Sequence, residues 1–243
     1  MQLSKLPQQL KSIPDWTQVD TAELDSAWRA AIDLVGSMQS LNQQGRQVVG
    51  QIIGDAVFTE WQHYPENDVR DDKNASQYFY HAHPGLQRPF TEHGHFHLFV
   101  HAEKLGMRPS TSRYAPAPAH VVAVSMDAQG LPSGFFVVNR WVTKGPWLSL
   151  AHCKRALQHF KLGSGRGNKA SKDINTFLRA LLQLYYPRII ALLEQRDKIM
   201  ASLCKNRDRR SVFADTDIEV LCYCHIDLMT DIAELEELHA SFA

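Results

Sequence analysis

The sequence predicts an α+β fold, in which an antiparallel sheet of about five strands is flanked by helices. Two observations lead to this prediction. Helical periodicity occupies both ends of the chain, and strand-like segments rich in β-branched and aromatic residues cluster in the middle. With 243 residues and 44% hydrophobic content, the chain is long enough to bury a sizeable core. We therefore expect residues 1–243 to form a single domain.

The helical part at the N-terminus, residues 1–60, is predicted from apolar residues that recur every three or four positions. They are Leu24, Trp28, Ala31, Ile32, Val35 and Met38. Gly50 and Gly54 interrupt the pattern further on and indicate a kink or a second short helix. Later helices are predicted over residues 146–204, with a kink at Pro187, and over residues 228–239.

The predicted sheet covers residues 77–142 and takes in one late strand at residues 218–226. Its other strands are expected at residues 77–83, 93–102, 120–126 and 135–142. The third and fourth of these form a predicted hairpin, because glycine and proline lie between them. Residues 64–76 are polar and are predicted to form a loop.

Composition excludes several classes of partner. The 26 basic and 26 acidic residues cancel, so nothing favours a nucleic acid or an anionic membrane as partner. No uncharged apolar run reaches the roughly 18 residues that a membrane-spanning helix needs, and residues 1–10 lack the apolar stretch of a signal peptide. We expect a cytoplasmic protein whose four cysteines are thiols.

Histidines form the most informative pattern, because six of the twelve fall between residues 81 and 101. Side chains alternate between the two faces of a strand. The alternation predicts one face carrying His93, His95, His97 and His101, with His81 and His83 paired in the same way on a neighbouring strand. Such a sheet face would bring several imidazoles together, which suits a transition metal ion.

The predicted metal ligands are five histidines and one carboxylate: His81, His83, His93, His95, His97 and Glu92. Glu92 has the wrong strand parity to join the histidines directly, so we expect it behind a ligand or in a loop. Alternative carboxylates are Glu60, Asp68 and Asp71. Histidines with a carboxylate favour non-haem iron and oxygen chemistry, whereas an all-histidine set suits zinc or copper equally well.

The pattern favours a metalloenzyme acting on a small molecule, with a non-catalytic metal-binding module as an alternative. Arg140 and Trp141 end a predicted strand, and an arginine beside an indole can hold an anionic substrate group. A structural ion pair for Arg140 is equally consistent with the sequence.

The segment from His93 to Phe99 resembles the H-x-H-x-H signature of the histidine-triad nucleotide hydrolases and transferases. That resemblance implies metal-free chemistry, in which His95 is the catalytic nucleophile that attacks an α-phosphate. It covers seven residues, and Gly94 departs from the hydrophobic residues usual at the alternating positions. Cupins also place H-x-H on strands, but the glutamate that should follow His83 closely is missing here.

Three further motifs, taken together, resemble an uncharacterised bacterial family defined as a domain of unknown function. They begin at His81 (HAHP), Glu92 (EHGHFH) and Asn139 (NRWVT), and the resemblance spans roughly residues 60 to 145. It implies that the three motifs form one site, and no activity follows from it.

Overall fold

A computed structural model describes residues 7–10, 15–84, 91–108, 117–163 and 172–242. In these ranges the chain forms an α+β structure around one seven-stranded sheet, with the strand order β1-β7-β6-β5-β4-β3-β2. All neighbouring strands pair antiparallel except β1 and β7, which are parallel. The predicted class and the mainly antiparallel sheet are therefore confirmed, but the sheet has seven strands instead of five.

The strands, in chain order, are β1 (Gln8–Gln9), β2 (Tyr64–Asp71), β3 (Ser76–His81), β4 (Gly94–Val100), β5 (Ala119–Met126), β6 (Pro132–Val138) and β7 (Val220–His225). The predicted hairpin is confirmed as β5 and β6. The predicted strand over residues 135–142 ends earlier, at Val138, because Asn139 caps a short helix by accepting a hydrogen bond from the backbone N–H of Arg140.

The polar loop predicted over residues 64–76 is wrong, since most of it is β2 at the edge of the sheet. An edge strand has one unpaired side, which tolerates proline and charged residues. Tyr64 and Val69 are its buried apolar side chains, and the register with β3 shifts between them. That irregularity removes the strict alternation by which a strand is recognised in a sequence.

The helices are α1 (Thr21–Gln43), α2 (Val48–Ile53), α3 (Arg140–Thr143), α4 (Leu150–His159), α5 (Lys172–Leu184), α6 (Tyr186–Leu203), α7 (Arg209–Phe213) and α8 (Leu228–Ala240). The predicted second short helix is α2. At Pro187 the structure has a break in place of the predicted kink, because α5 ends at Leu184 and α6 begins at Tyr186. Pro187 lies in the first turn of α6, where its missing N–H is not needed. Residues 164–171 of the predicted helical region lie outside the described residues. No helix in the described ranges is both long and apolar enough to cross a membrane.

The two faces of the sheet differ in what covers them. Tyr78, Tyr80, Phe96 and Leu98 belong to the main hydrophobic core, which also includes residues of α1, α5 and α6. The opposite face carries Phe79 and His81 of β3 together with His95 and His97 of β4, and a smaller apolar cluster of Ala123, Phe136, Val138 and Val220. We call this second side the histidine face.

Gly94 allows β3 and β4 to approach where the histidine face begins. A Cβ atom at this position would lie 2.5 Å from both the His81 carbonyl oxygen and the Tyr80 hydroxyl. We predict that Gly94→Ala lowers the free energy of unfolding by about 1–3 kcal/mol, because both neighbours must shift. At Gly36, in the exposed middle of α1, an added Cβ atom would meet nothing within 4 Å apart from its chain neighbours and the backbone of its own helix. Gly36→Ala should therefore stabilise the protein by up to about 1 kcal/mol. Urea unfolding of both variants checks the contrast, and equal effects would contradict it.

Candidate metal centre

Three histidines converge on the histidine face. His81 ends β3, His95 lies directly opposite it on β4, and His83 follows two residues after His81. One potential ligand atom from each of the three lies within 4.8 Å of the others. The Nε2 atoms of His81 and His95 are 2.8 Å apart. This group of three, which we call the histidine triangle, could hold a metal ion.

A buried carboxylate orients one member of the triangle. Glu92 Oε1 lies 2.6 Å from Nδ1 of His95, and both side chains are buried. When the Glu92 carboxylate accepts the Nδ1 proton, Nε2 of His95 keeps the lone pair that a metal ion requires. Glu92 thus contacts His95 from the segment before β4, and its role beside a metal ion stays a prediction.

His83 is held between an indole ring and a second carboxylate. Trp61 stacks on His83 with ring centroids 4.2 Å apart, and Glu219 Oε1 lies 4.0 Å from His83 Nδ1. Burial raises the pKa of Glu219, although nearby His95 opposes the shift. A cavity of about 10 Å³ is lined by His83, Glu92, His95, His97, Phe136, Val138, Val142, Glu219 and Val220. Such a volume is on the order of one water molecule or ion.

His97 and His120 form a second pair beside the triangle. His97 Nδ1 and His120 Nε2 are 3.0 Å apart, and the rings of His97 and His95 lie 4.8 Å apart. His120 reaches this face because the register of β4 with β5 shifts, so that Phe99 pairs with His120 and Val121 is skipped. A bulge of this kind reverses the expected strand parity. Strand alternation alone therefore does not place His120 on the histidine face.

Burial keeps the imidazoles of His81, His97 and His120 neutral. It lowers the pKa of His81 to about 2, with a further contribution from neighbouring His95, His83 and His63. Burial also lowers the pKa of His120 to about 3 and that of His97 well below its ordinary value. A neutral imidazole is the form that binds metal ions.

His63 also borders the triangle and was missed, because it stands alone in sequence, outside the histidine cluster. Its ring stacks on Phe79 at 3.6 Å and meets the His81 ring edge-on at 5.7 Å. Asp68 holds its Nδ1 at 3.0 Å. Glu219 was missed for a similar reason, since only the pairing of β6 with β7 brings it near His83.

The predicted row of histidines on one face is wrong at His93. His93 precedes β4, and its Nδ1 lies 2.6 Å from the hydroxyl of Tyr80, a residue of the main core. His101 follows β4, and its Nε2 lies 3.0 Å from Gln77 Oε1. Strand alternation fails at His93 because it lies before the strand. Gln77, the partner of His101, alternates in β3 with Phe79 and His81 of the histidine face. Of the predicted metal ligands, His81, His83 and His95 form the triangle, with His97 beside it and His93 apart from it.

Asn139, Arg140 and Trp141 attach α3 to the segment before β7. The Asn139 side chain donates to Val212 O at 2.9 Å, and Trp141 Nε1 donates to Ile218 O at 2.9 Å. The Arg140 guanidinium lies 5.8 Å from the centre of the Phe213 ring. These contacts support a structural role, and the substrate-anchoring role of Arg140 stays a prediction.

Fold and site together define an α+β protein with a candidate metal centre made of histidines on its sheet. Residues 28–226 match the family model described as Domain of unknown function (DUF6969), and the chain belongs to this family. The match confirms the resemblance predicted from the three motifs and extends beyond residues 60 to 145. Comparisons with curated proteins and with solved structures gave no match.

Acid should unfold the protein through the buried histidines. The folded-state pKa of His120 is about 3, below its ordinary value of 6.5, so the unfolded chain binds more protons between these pH values. Stability is therefore complete above about pH 6.5 and falls as the pH decreases, by up to about 1.4 kcal/mol per pH unit for each such histidine. Urea unfolding with EDTA present, at pH 7 to 4.5, measures the slope. It should be shallower in His120→Asn, and an unchanged slope would contradict this account.

Glu92 should strengthen metal binding through His95. We predict that Glu92→Gln weakens metal binding about 10- to 100-fold, because the amide no longer provides a negative charge behind the imidazole. Glu103 is exposed after β4, so Glu103→Gln is the matched control. Competition with a chromophoric chelator measures both affinities, and equal values for the two variants would argue against this role of Glu92.

Proposed function

We propose that this protein is a metal-dependent enzyme whose mononuclear centre is held by His81, His83 and His95. The observation that carries the proposal is the convergence of three imidazole ligand atoms within 4.8 Å, two from paired strands and one from just after β3. The carboxylate of Glu92 behind His95 adds support, because metal-binding histidines commonly donate their second N–H to such a partner.

Iron is the metal we propose, with zinc and copper as the alternatives that a set of imidazoles also suits. The Glu219 carboxylate near His83 favours iron, because histidines together with a carboxylate suit non-haem iron. The apolar rings of Phe79 and Phe136 border the triangle at His81 and His95. Iron held by few protein ligands supplies oxygen chemistry when it is bound.

The residues of the chain have separate roles in this proposal. His81, His83 and His95 bind the metal ion, Glu92 fixes the tautomer of His95, and Trp61 holds the ring of His83. The apolar side chains around the triangle exclude water from the centre. The substrate is a small molecule, and the balanced charge of the chain favours neither a nucleic acid nor a membrane as a partner.

The metal content of tag-free protein tests the proposal, measured by inductively coupled plasma mass spectrometry after aerobic and after anaerobic purification. We expect close to one equivalent of iron in the wild type. His83→Gln and His95→Gln should lose it, because each removes one of three ligands. His101→Gln is the matched control, since His101 belongs to the same sequence cluster but contacts Gln77 instead.

Each other outcome has a distinct meaning. Stoichiometric zinc would keep the site and replace oxygen chemistry by hydrolysis. Metal retained in His83→Gln and His95→Gln would overturn the ligand assignment. Absence of metal under both conditions would overturn the whole proposal and favour His95 as a nucleophile, for which adenosine phosphoramidates are the test substrates.

A further inference from the structure

We infer that Trp61 and His63 form the substrate entrance of the centre and select flat aromatic molecules that carry a metal-binding oxygen. This inference rests on the proposed function and names its substrate class. It starts from the segment just before β2, where an indole and an imidazole cover two members of the histidine triangle.

The indole of Trp61 has one face against the protein and much of its surface in solvent. Its ring stacks on His83 at 4.2 Å and 27°, yet Trp61 is 54% exposed. Its backbone N–H donates to Ala82 O at 2.9 Å, and its φ of 69° lies in the left-handed region that favours glycine. A large aromatic residue is thus held in a strained backbone conformation directly over a proposed metal ligand, which is typical of functional positions.

His63 borders the triangle at His81. Its side chain is 41% exposed, stacks on Phe79 and is held by Asp68. Two half-exposed rings from one short segment therefore flank the triangle, one at His83 and the other at His81.

We place the approach from solvent at His81, beside these two rings, because His81 is the one partly exposed member of the triangle. His83 and His95 are buried, whereas His81 is partly exposed. The cavity beside the triangle, at about 10 Å³, is too small to enclose an organic molecule. A substrate must therefore reach the centre with its metal-binding group, while the rest of the molecule lies outside, over Trp61 and His63.

The chemistry of this outer part follows from what it would contact. The exposed indole of Trp61 and the exposed part of the His63 ring offer ring faces to this outer part. Aromatic ligands bind such surfaces several-fold more tightly than aliphatic ligands, because their rings stack on the exposed rings of the protein. An oxygen donor on the same molecule would complete the contact with the metal ion.

Two hydroxamates that share one metal-binding group test the inference. Benzohydroxamate adds a phenyl ring where acetohydroxamate has a methyl group. Isothermal titration of the metal-loaded protein should show benzohydroxamate binding about 3- to 10-fold more tightly. In Trp61→Ala the ratio of the two affinities should fall to about 1, whatever the change in metal binding through His83, and in Trp61→Phe much of the preference should return. Phe242→Ala is the control for loss of an exposed aromatic ring elsewhere.

The outcomes separate this inference from the function on which it rests. Equal binding of both hydroxamates to the wild type, or a preference that survives in Trp61→Ala, would overturn the entrance while leaving the metal centre intact. If neither hydroxamate binds and the protein holds no metal, the entrance and the proposed function are both overturned. Thermal melting of Trp61→Ala and Trp61→Phe shows whether each variant is folded, and Trp61→Phe carries the test if Trp61→Ala is not.

Discussion

The candidate site depends above all on the pairing of β3 with β4, which places His81 opposite His95. A slip of one residue would turn every side chain of a strand to the other face. The main core prevents such a slip, because Tyr78 and Tyr80 of β3 and Phe96 and Leu98 of β4 are buried there. Burying each large apolar side chain is worth about 1.5–3 kcal/mol, so the helical side of the sheet fixes the geometry of the histidine side.

Imidazoles on the histidine face form hydrogen bonds with one another or with carboxylates. His97 pairs with His120, while Glu92 and Asp68 hold the Nδ1 atoms of His95 and His63. Buried polar groups without partners are costly, so a connected network is the arrangement that such a face can tolerate. The same contacts fix ring orientation and leave neutral nitrogen atoms available for a metal ion. The contacts that make burial tolerable therefore also prepare the site.

The two faces of the sheet have different roles: one packs against the main core and the other carries the candidate site. The helix-covered face contains the larger apolar core, and its strands therefore form a rigid support. The histidine face carries a smaller apolar cluster, and the exposed rings of Trp61 and His63 lie at its border. Ligands mounted on strands are held more precisely than ligands on loops, while a bordering loop can vary what reaches them.

The sequence by itself determined the fold class, most helices, the hairpin of β5 and β6, and His81, His83 and His95 as candidate ligands, because these features depend on local periodicity. Tertiary structure decided which histidines meet. His120 joins the histidine face through a bulge, His63 and Glu219 arrive from distant segments, and His93 turns to Tyr80. The edge strand β2 was also hidden by its irregular register. Strand ends, bulges and pairing partners are set by contacts between residues far apart in the chain, which a periodic pattern cannot encode.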